Sequence, residues 1–390
     1  MKKIIFALMM IASLLLSSCV AQAEPQPAPE QPAQQAPAAA PNPPVQELPA
    51  PVEQATDQSA EPVAPSGEPR ELVVMTHDSF AISDGVIQEF EIANNAKVTF
   101  LRSGDAGSTL NKAILTQDAP IADVLYGVDN TFLSRALDAD LFETYASPLL
   151  QNIPDEFRLD QKNRALPVDY GDVCINYSVS FFQKNDLPVP DDFEDLLDPT
   201  YFGLLVVENP ATSSPGLSFL LATIERFGDP GYLDYWKALK ENGVVVVDGW
   251  ETAYYTNFSG SAGLGPQPMV VSYSSSPAAE IVFAETELTE PPTASITSPG
   301  MCFRQIEFVG ILKGTQNLEL AKAFVDFMLN VPFQEGMPLT MFVYPVNNMA
   351  VVPEVFLTNG QPAAEPAYAP QSLEENRDRW IENWTETVLP

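Results

Sequence analysis

The chain has 390 residues, with 52 acidic against 19 basic side chains, a formal net charge of −33 and a single histidine. A nucleic-acid partner is excluded, because phosphate binding needs the opposite sign; acidity this strong favours solubility and the attraction of cations. One histidine and three cysteines form no metal-type Cys/His cluster.

Lys2 and Lys3 precede an apolar run over 4–16, followed by Ser17-Ser18-Cys19. A positive start, a short apolar core and small residues at the cut read as a secretory signal, too short to span a bilayer comfortably. Leu16-Ser17-Ser18-Cys19 has the form of a bacterial lipobox, so residues 1–19 are expected to be a lipoprotein signal and Cys19 the lipidated residue. Cleavage after Ala21-Gln22-Ala23, which would discard Cys19 and release the protein, is the alternative. Residues 20–69 are dominated by Pro, Ala, Gln and Glu. Such a segment buries too little apolar surface to offset its ordering entropy, and its prolines favour a semi-rigid spacer of ~3.1 Å per residue. It is expected to hold a folded part away from a membrane or wall.

About 320 residues remain, enough for a large core or two lobes. Strand-like runs at 72–76, 97–101 and 122–126 alternate with helical patterns at 84–92, 108–116 and 130–137. After Leu166 the alternation resumes. Strands are expected at 174–177, 204–207, 244–247, 269–273 and 302–312, and helices at 216–227, 232–242, 250–258, 277–283 and 318–329. Strands alternating with helices imply a mostly parallel sheet covered on both faces. Cys174 and Cys302 both fall in strand-like stretches. In an oxidising compartment they are free to pair as a disulfide or to remain thiols.

Ligands of open α/β sheets bind at the carboxyl ends of strands. Polar residues gather there repeatedly: His77 with Asp78, Gly104 with Asp105, Asp129, Thr212 to Ser214, Trp250, and Tyr273 to Ser276. Two of these sets, Thr212-Ser213-Ser214-Pro215-Gly216 and Tyr273-Ser274-Ser275-Ser276-Pro277, are hydroxyl-then-proline helix starts. The hydroxyl caps free N–H groups and proline at the first position loses no hydrogen bond. Such starts also present N–H donors to a polar or anionic ligand. Six sets drawn from both halves of the chain imply a cleft between two lobes.

The segments Val74-Met75-Thr76-His77-Asp78-Ser79-Phe80, Ala122-Asp123-Val124-Leu125-Tyr126-Gly127-Val128-Asp129-Asn130, Thr212-Ser213-Ser214-Pro215-Gly216-Leu217, Gly249-Trp250-Glu251 and Ser272-Tyr273-Ser274-Ser275-Ser276-Pro277, in this order, resemble the thiamine-binding proteins of bacterial ABC importers. These are type II periplasmic binding proteins, and the likeness extends over 71–390. It implies an α/β fold of two lobes, each a mostly parallel sheet flanked by helices, with the ligand cleft between them: 71–171 the first part of lobe 1, 172–304 lobe 2, and 305–390 a return to lobe 1 plus C-terminal helices. It also implies ligand contacts at Asp105, Ala106, Ser213, Ser214, Trp250, Tyr273, Ser274, Ser275 and Ser276. Thiamine carries a permanent thiazolium cation and a flat aminopyrimidine. Trp250 and Tyr273 suit ring stacking and cation–π attraction, whereas Asp105, Asp129 and Asp169 suit the positive charge. Asp78 and Phe342 complete the candidate set, and the two serines before Pro215 suit the hydroxyethyl arm or its phosphate ester.

The chain departs from the family at His77, where Tyr is common, at Ala106 for Gly, at Phe342 for Trp, and at Asp172 for an aromatic residue; the extra acid could tune the ligand. Residues 259–268 read as an elongated loop. The implied partners are a thiamine-class molecule, ABC permease subunits and, through the lipid anchor, a membrane, with a monomeric binder working outside the cytoplasm and needing no cofactor. Alternatives are another small organic cation such as a polyamine, or iron(III) held by Tyr254, Tyr255, His77 and a carboxylate. A hydrolase is the alternative from another class. It would need a base beside its nucleophile, and the sequence has only His77 and no Gly-x-Ser-x-Gly elbow.

Overall fold

The computed structural model describes residues 67–260 and 265–389. The signal segment, Cys19 and the tether as far as residue 66 lie outside the described residues. From β1 (Arg70–Thr76) the chain runs through α1 (Asp84–Asn94), β2 (Ala96–Arg102), α2 (Ala106–Leu115), β3 (Val124–Asp129) and α3 (Leu133–Asp138). β1 pairs in parallel with β2 on one side and β3 on the other, as the alternation predicts. Helix ends follow local chemistry. Ser83 Oγ accepts from Val86 N at the start of α1, and Asn95, at φ 43°, closes it by returning its N–H to Glu91 and Ile92 carbonyls.

A second wing follows β4 (Leu166–Ser178) and α4 (Val179–Lys184): β5 (Leu205–Glu208), α5 (Ser214–Phe227), α6 (Gly231–Glu241), β6 (Val245–Val247), β7 (Met269–Tyr273) and α7 (Ser276–Val282). β5 is flanked in parallel by β6 and β7. The chain then returns through β8 (Thr293–Ile296) and β9 (Phe303–Ile311), and ends in α8 (Leu318–Leu329), α9 (Val331–Met341), β10 (Tyr344–Pro345), α10 (Glu354–Asn359) and α11 (Leu373–Val388).

The wings are joined into one mixed sheet in the order β2-β1-β3-β9-β4-β7-β5-β6, with β8 and β10 pairing β4. The outer strands are parallel, as expected. The centre is antiparallel, because β4 carries the chain out of the first wing and β9 carries it back: β9 runs antiparallel to both β3 and β4, and β4 antiparallel to β7. The expected lobe boundaries at 171/172 and 304/305 therefore fall inside the two strands that connect the wings. Cys174 and Cys302 adjoin the Val173–Phe303 pair of this seam, and their sulfurs are joined at 2.08 Å.

β4 is far longer than the strand expected at 174–177. Pro167, Asp169, Gly171 and Asp172 break its apolar pattern, but β9 and β10 hold that stretch from either side. The final helix also departs from a simple return to the first wing. Its Arg377 donates to Ser134 Oγ of α3, while Trp384 meets Trp236 of α6 edge-on at 5.4 Å, so α11 straddles both wings. At the centre, α5 is buried from Ser214 to Ile224. Gly216 is required there, since a Cβ would lie 2.4 Å from the Glu208 carbonyl oxygen.

Candidate functional site

The strand tips of both wings meet around a cleft of about 140 Å³. Six of the expected ligand residues line it: Asp105, Ala106, Ser214, Trp250, Tyr273 and Phe342. His77, Ser79, Tyr255, Gln305, Glu307 and Met341 line it too and were not in the expected contact set.

Trp250 follows β6 and is clamped at three points. Its backbone N–H donates to Asp105 Oδ2 at 3.0 Å and its indole N–H to Ser272 Oγ at 2.9 Å. Tyr254 stacks on it at 5.0 Å with an 18° interplanar angle. Tyr254 thus occupies one face of the indole, and Tyr273 and Tyr255 stand edge-on to the ring at 6.3 and 5.5 Å. Tyr273 is set by Gln305, whose Nε2 donates to the phenol oxygen at 3.1 Å. A Cβ at Gly171 would lie 2.8 Å from the Tyr273 ring, so glycine makes room for it.

The wings are locked together across this site. Asp105 accepts from Trp250 N with one carboxylate oxygen and from Ala106 N at 2.7 Å with the other, and Gly107 N donates to Thr212 O at 3.0 Å. Burial pushes the Asp105 carboxyl above its usual range, against those N–H donors. Phe342, at φ 60°, ends α9 and packs on Phe283 at 5.2 Å.

The opposite wall is charged. His77 and Glu307 are both buried, with His77 Nε2 3.5 Å from Glu307 Oε1 and His77 Nδ1 3.0 Å from Ser79 Oγ. Gly127 creates the space for the imidazole: it sits at φ 95° where the register of β3 against β9 shifts, and a Cβ there would lie 2.3 Å from His77 Cδ2. Burial opposes the imidazolium, but Glu307, then Asp105 and Asp78, outweigh it and hold the His77 pKa above 6.5. Burial likewise opposes the Glu307 carboxylate, yet the His77 charge outweighs it and holds that pKa below the usual range.

Several expected contacts stand behind the walls. Asp129 is fully buried and accepts at Oδ1 from Thr131 N, Thr131 Oγ1 and Phe132 N, which makes it a turn-forming residue at the end of β3. Burial raises its pKa to about 6. Asp169 is also buried, with the Tyr126 hydroxyl 2.6 Å from its Oδ2 and 3.1 Å from Glu307 Oε2. Burial and then the Glu307 charge raise the Asp169 pKa well above its usual range.

Ser213 is the cap of α5, accepting from Gly216 N, so the two serines divide their work: Ser214 lines the cleft, with its hydroxyl buried beside the Asp129 carboxylate. The second hydroxyl-proline start is not side-chain capped. Ser275 Oγ donates to the Phe342 carbonyl, Ser276 Oγ lies 3.0 Å from Ser272 Oγ, and Ser274 lies buried off the cleft. Asp78 accepts from Gly104 N and borders a neighbouring hollow. Asp172 does not reach the ligand cleft; it pairs with Arg304 and accepts from Ala363 N at 2.7 Å. Tyr254 and Tyr255 both pack on Trp250, and the Tyr254 hydroxyl donates to Glu280 at 2.5 Å.

Glu307 was legible in one respect. Gln305 and Glu307 stand two apart in a strand whose other residues, Arg304 aside, are apolar, and period two puts both on one face.

Residues 119–382 match the bacterial extracellular solute-binding protein family. The thiamine-binding periplasmic protein of Salmonella typhimurium is 30% identical over 322 residues, spanning 81% of this chain and 93% of the relative. That of Escherichia coli is 29% identical over 323 residues with the same coverage. Among solved structures, a periplasmic thiamin binding protein superposes with a TM-score of 0.71 at 26% identity, covering 84% of this chain and 100% of that one. A cleft at the strand tips of two wings, joined by a pair of crossing strands, is the architecture such a protein needs, and the chain belongs to the bacterial extracellular solute-binding proteins.

Proposed function

We propose that this protein captures thiamine or a thiamine phosphate outside the cytoplasm and delivers it to the permease of an ABC importer. The observation that carries this reading is the cleft itself: Trp250 and Tyr273 line it together with Asp105 and Glu307, which suits a flat ring bearing a positive charge. The named thiamine-binding relatives, similar over 81% of the chain, support the same ligand. Ser214, on the cleft wall at the start of α5, suits the polar arm or its phosphate.

On this reading 71–171 with 305–390 and 172–304 act as two lobes hinged on β4 and β9, and ligand contacts from both favour the closed form. Cys19 anchors the mature chain by lipid and 20–69 is its spacer. The protein works as a monomer, without a cofactor and without catalysis.

Titrating thiamine into the protein while following tryptophan fluorescence and heat tests the reading. Saturable quenching and heat are expected at or below micromolar ligand, with thiamine recovered intact on denaturation. No response at high micromolar thiamine, or recovery of a converted product, would sink it.

A further inference from the structure

The acids around the cleft differ in what already holds them. Both oxygens of Asp105 accept backbone N–H groups, Asp129 closes its own turn, and Asp169 shares the Tyr126 hydroxyl. Glu307 shares that hydroxyl too, through Oε2 at 3.1 Å, and differs in its Oε1. It reaches the cleft wall from β9, and the cation beside it is His77, whose Nε2 stands 3.5 Å from Oε1 without forming a hydrogen bond. An ionised carboxylate facing a ligand cleft, paired loosely with a side chain that can give up its charge, is an exchangeable ion pair.

We propose that Glu307 is the counter-charge for the ligand's positive ring and that His77 is the resident cation of the empty cleft, so that a cationic ligand binds by driving the proton off His77. The inference rests on the reading of the ligand as a thiamine-type cation. The groups facing His77 are Glu307 from β9, Asp105 at the start of α2, the adjacent Asp78, and the Tyr126 ring from β3 at 5.7 Å. The carboxylates among them favour the imidazolium when the cleft is empty. A fixed cation beside Glu307 adds a like charge in a buried place and favours the neutral ring.

The balance is simple: the protonated empty protein and the ligand cation give the complex, and one proton leaves the imidazole for solvent. The neutral ring keeps its Nδ1 contact with Ser79. The sign follows. The His77 pKa is raised in the empty protein, so thiamine affinity is lowest below that pKa, rises by up to about tenfold per pH unit on approaching it, and levels off above it.

The test is calorimetric titration of the full chain, purified without a histidine tag, with thiamine at pH 6 and pH 8 in buffers of different protonation enthalpy. Because His77 is the sole histidine, one imidazole NMR signal reports its titration directly. The expected result is release of up to about one proton per thiamine and a His77 pKa lowered by the ligand. His77→Gln is expected to bind thiamine with no proton release and a flat pH profile. Glu307→Gln should weaken thiamine by about tenfold or more while changing 3-deazathiamine, its neutral thiophene isostere, by less than about threefold.

Thiamine binding without proton release, a pH slope that persists in His77→Gln, or equal losses for both ligands in Glu307→Gln would overturn the inference while leaving the proposed function standing. Failure of thiamine to bind at any pH would overturn both.

Discussion

The two walls of the cleft are built on opposite plans. The wall from the second wing is aromatic: Trp250 rests on Tyr254 and Ser272 with its backbone N–H on Asp105, and Tyr273 rests on Gln305. The wall formed by β9 and the end of β1 is ionic, with His77, Glu307 and Asp169 sharing one buried cluster around Tyr126. A stack of rings has fixed shape and no pH dependence, so it recognises a flat ligand under all conditions. A buried ion pair is costly to assemble and changes with protonation, so it recognises charge and does so conditionally.

Removing the indole should produce the largest effect. Trp250→Ala deletes the stacking surface, and thiamine affinity is expected to fall by more than tenfold, roughly 2–3 kcal/mol, measured by calorimetry. A loss below threefold would place the ligand elsewhere in the cleft.

Next come the two glycines that make room for the walls. Gly127→Ala would press on His77 and Gly171→Ala on Tyr273, and each should cost about 1–3 kcal/mol in denaturant unfolding through overpacking. Only Gly127→Ala should shift the His77 titration; the same shift in Gly171→Ala would mean that the walls are not independent.

Asp129 gives a smaller effect of opposite sign. Its folded pKa, about 6, lies above the ordinary 3.8. The folded state therefore binds its proton more tightly, and the stability this contributes is present below the unfolded pKa and lost as pH rises from about 4 through about 6. Asp129→Asn keeps an acceptor for Thr131 and removes the buried charge, so it should be more stable than the parent at pH 8 by about 1–2 kcal/mol and no more stable at pH 4. Urea unfolding at both pH values checks this, and an unchanged difference between them would refute it.

The smallest effect belongs to Ser275→Ala. Its hydroxyl serves the Phe342 carbonyl behind the wall, so thiamine affinity should change by less than about threefold. Ser214→Ala, at the cleft face, should lose more, and the reverse order would reinstate the second serine run as a ligand contact.

Much of the fold was legible because its elements are locally consistent. α8 matches its expected span of 318–329, and its apolar face is one stripe. β7 and α5 carry mostly apolar runs. The stretches that escaped are those where tertiary partners override local pattern. α9 forms across Pro332, Gly336 and Pro338, helped by Asn330 capping Phe333 N. The N-terminal half of β4 is a strand because β9 and β10 pair with it, despite its proline, glycine and acids.

The same divide runs through the site. By itself the sequence determined which side chains gather at strand tips, because an α/β chain delivers those tips to one edge and their residue types are fixed: the indole at 250, the phenol at 273, the serines before Pro215 and the acid at 105. The tertiary structure alone decided which of them face the cleft. Asp129, Asp169 and Ser275 are as polar as Asp105 and Ser214, yet neighbouring N–H, hydroxyl and carbonyl groups engage them behind the wall. Glu307 lies more than 200 residues along the chain from His77, and only the pairing of β9 with β3, relaxed at Gly127, brings the carboxylate and the imidazole to the same wall.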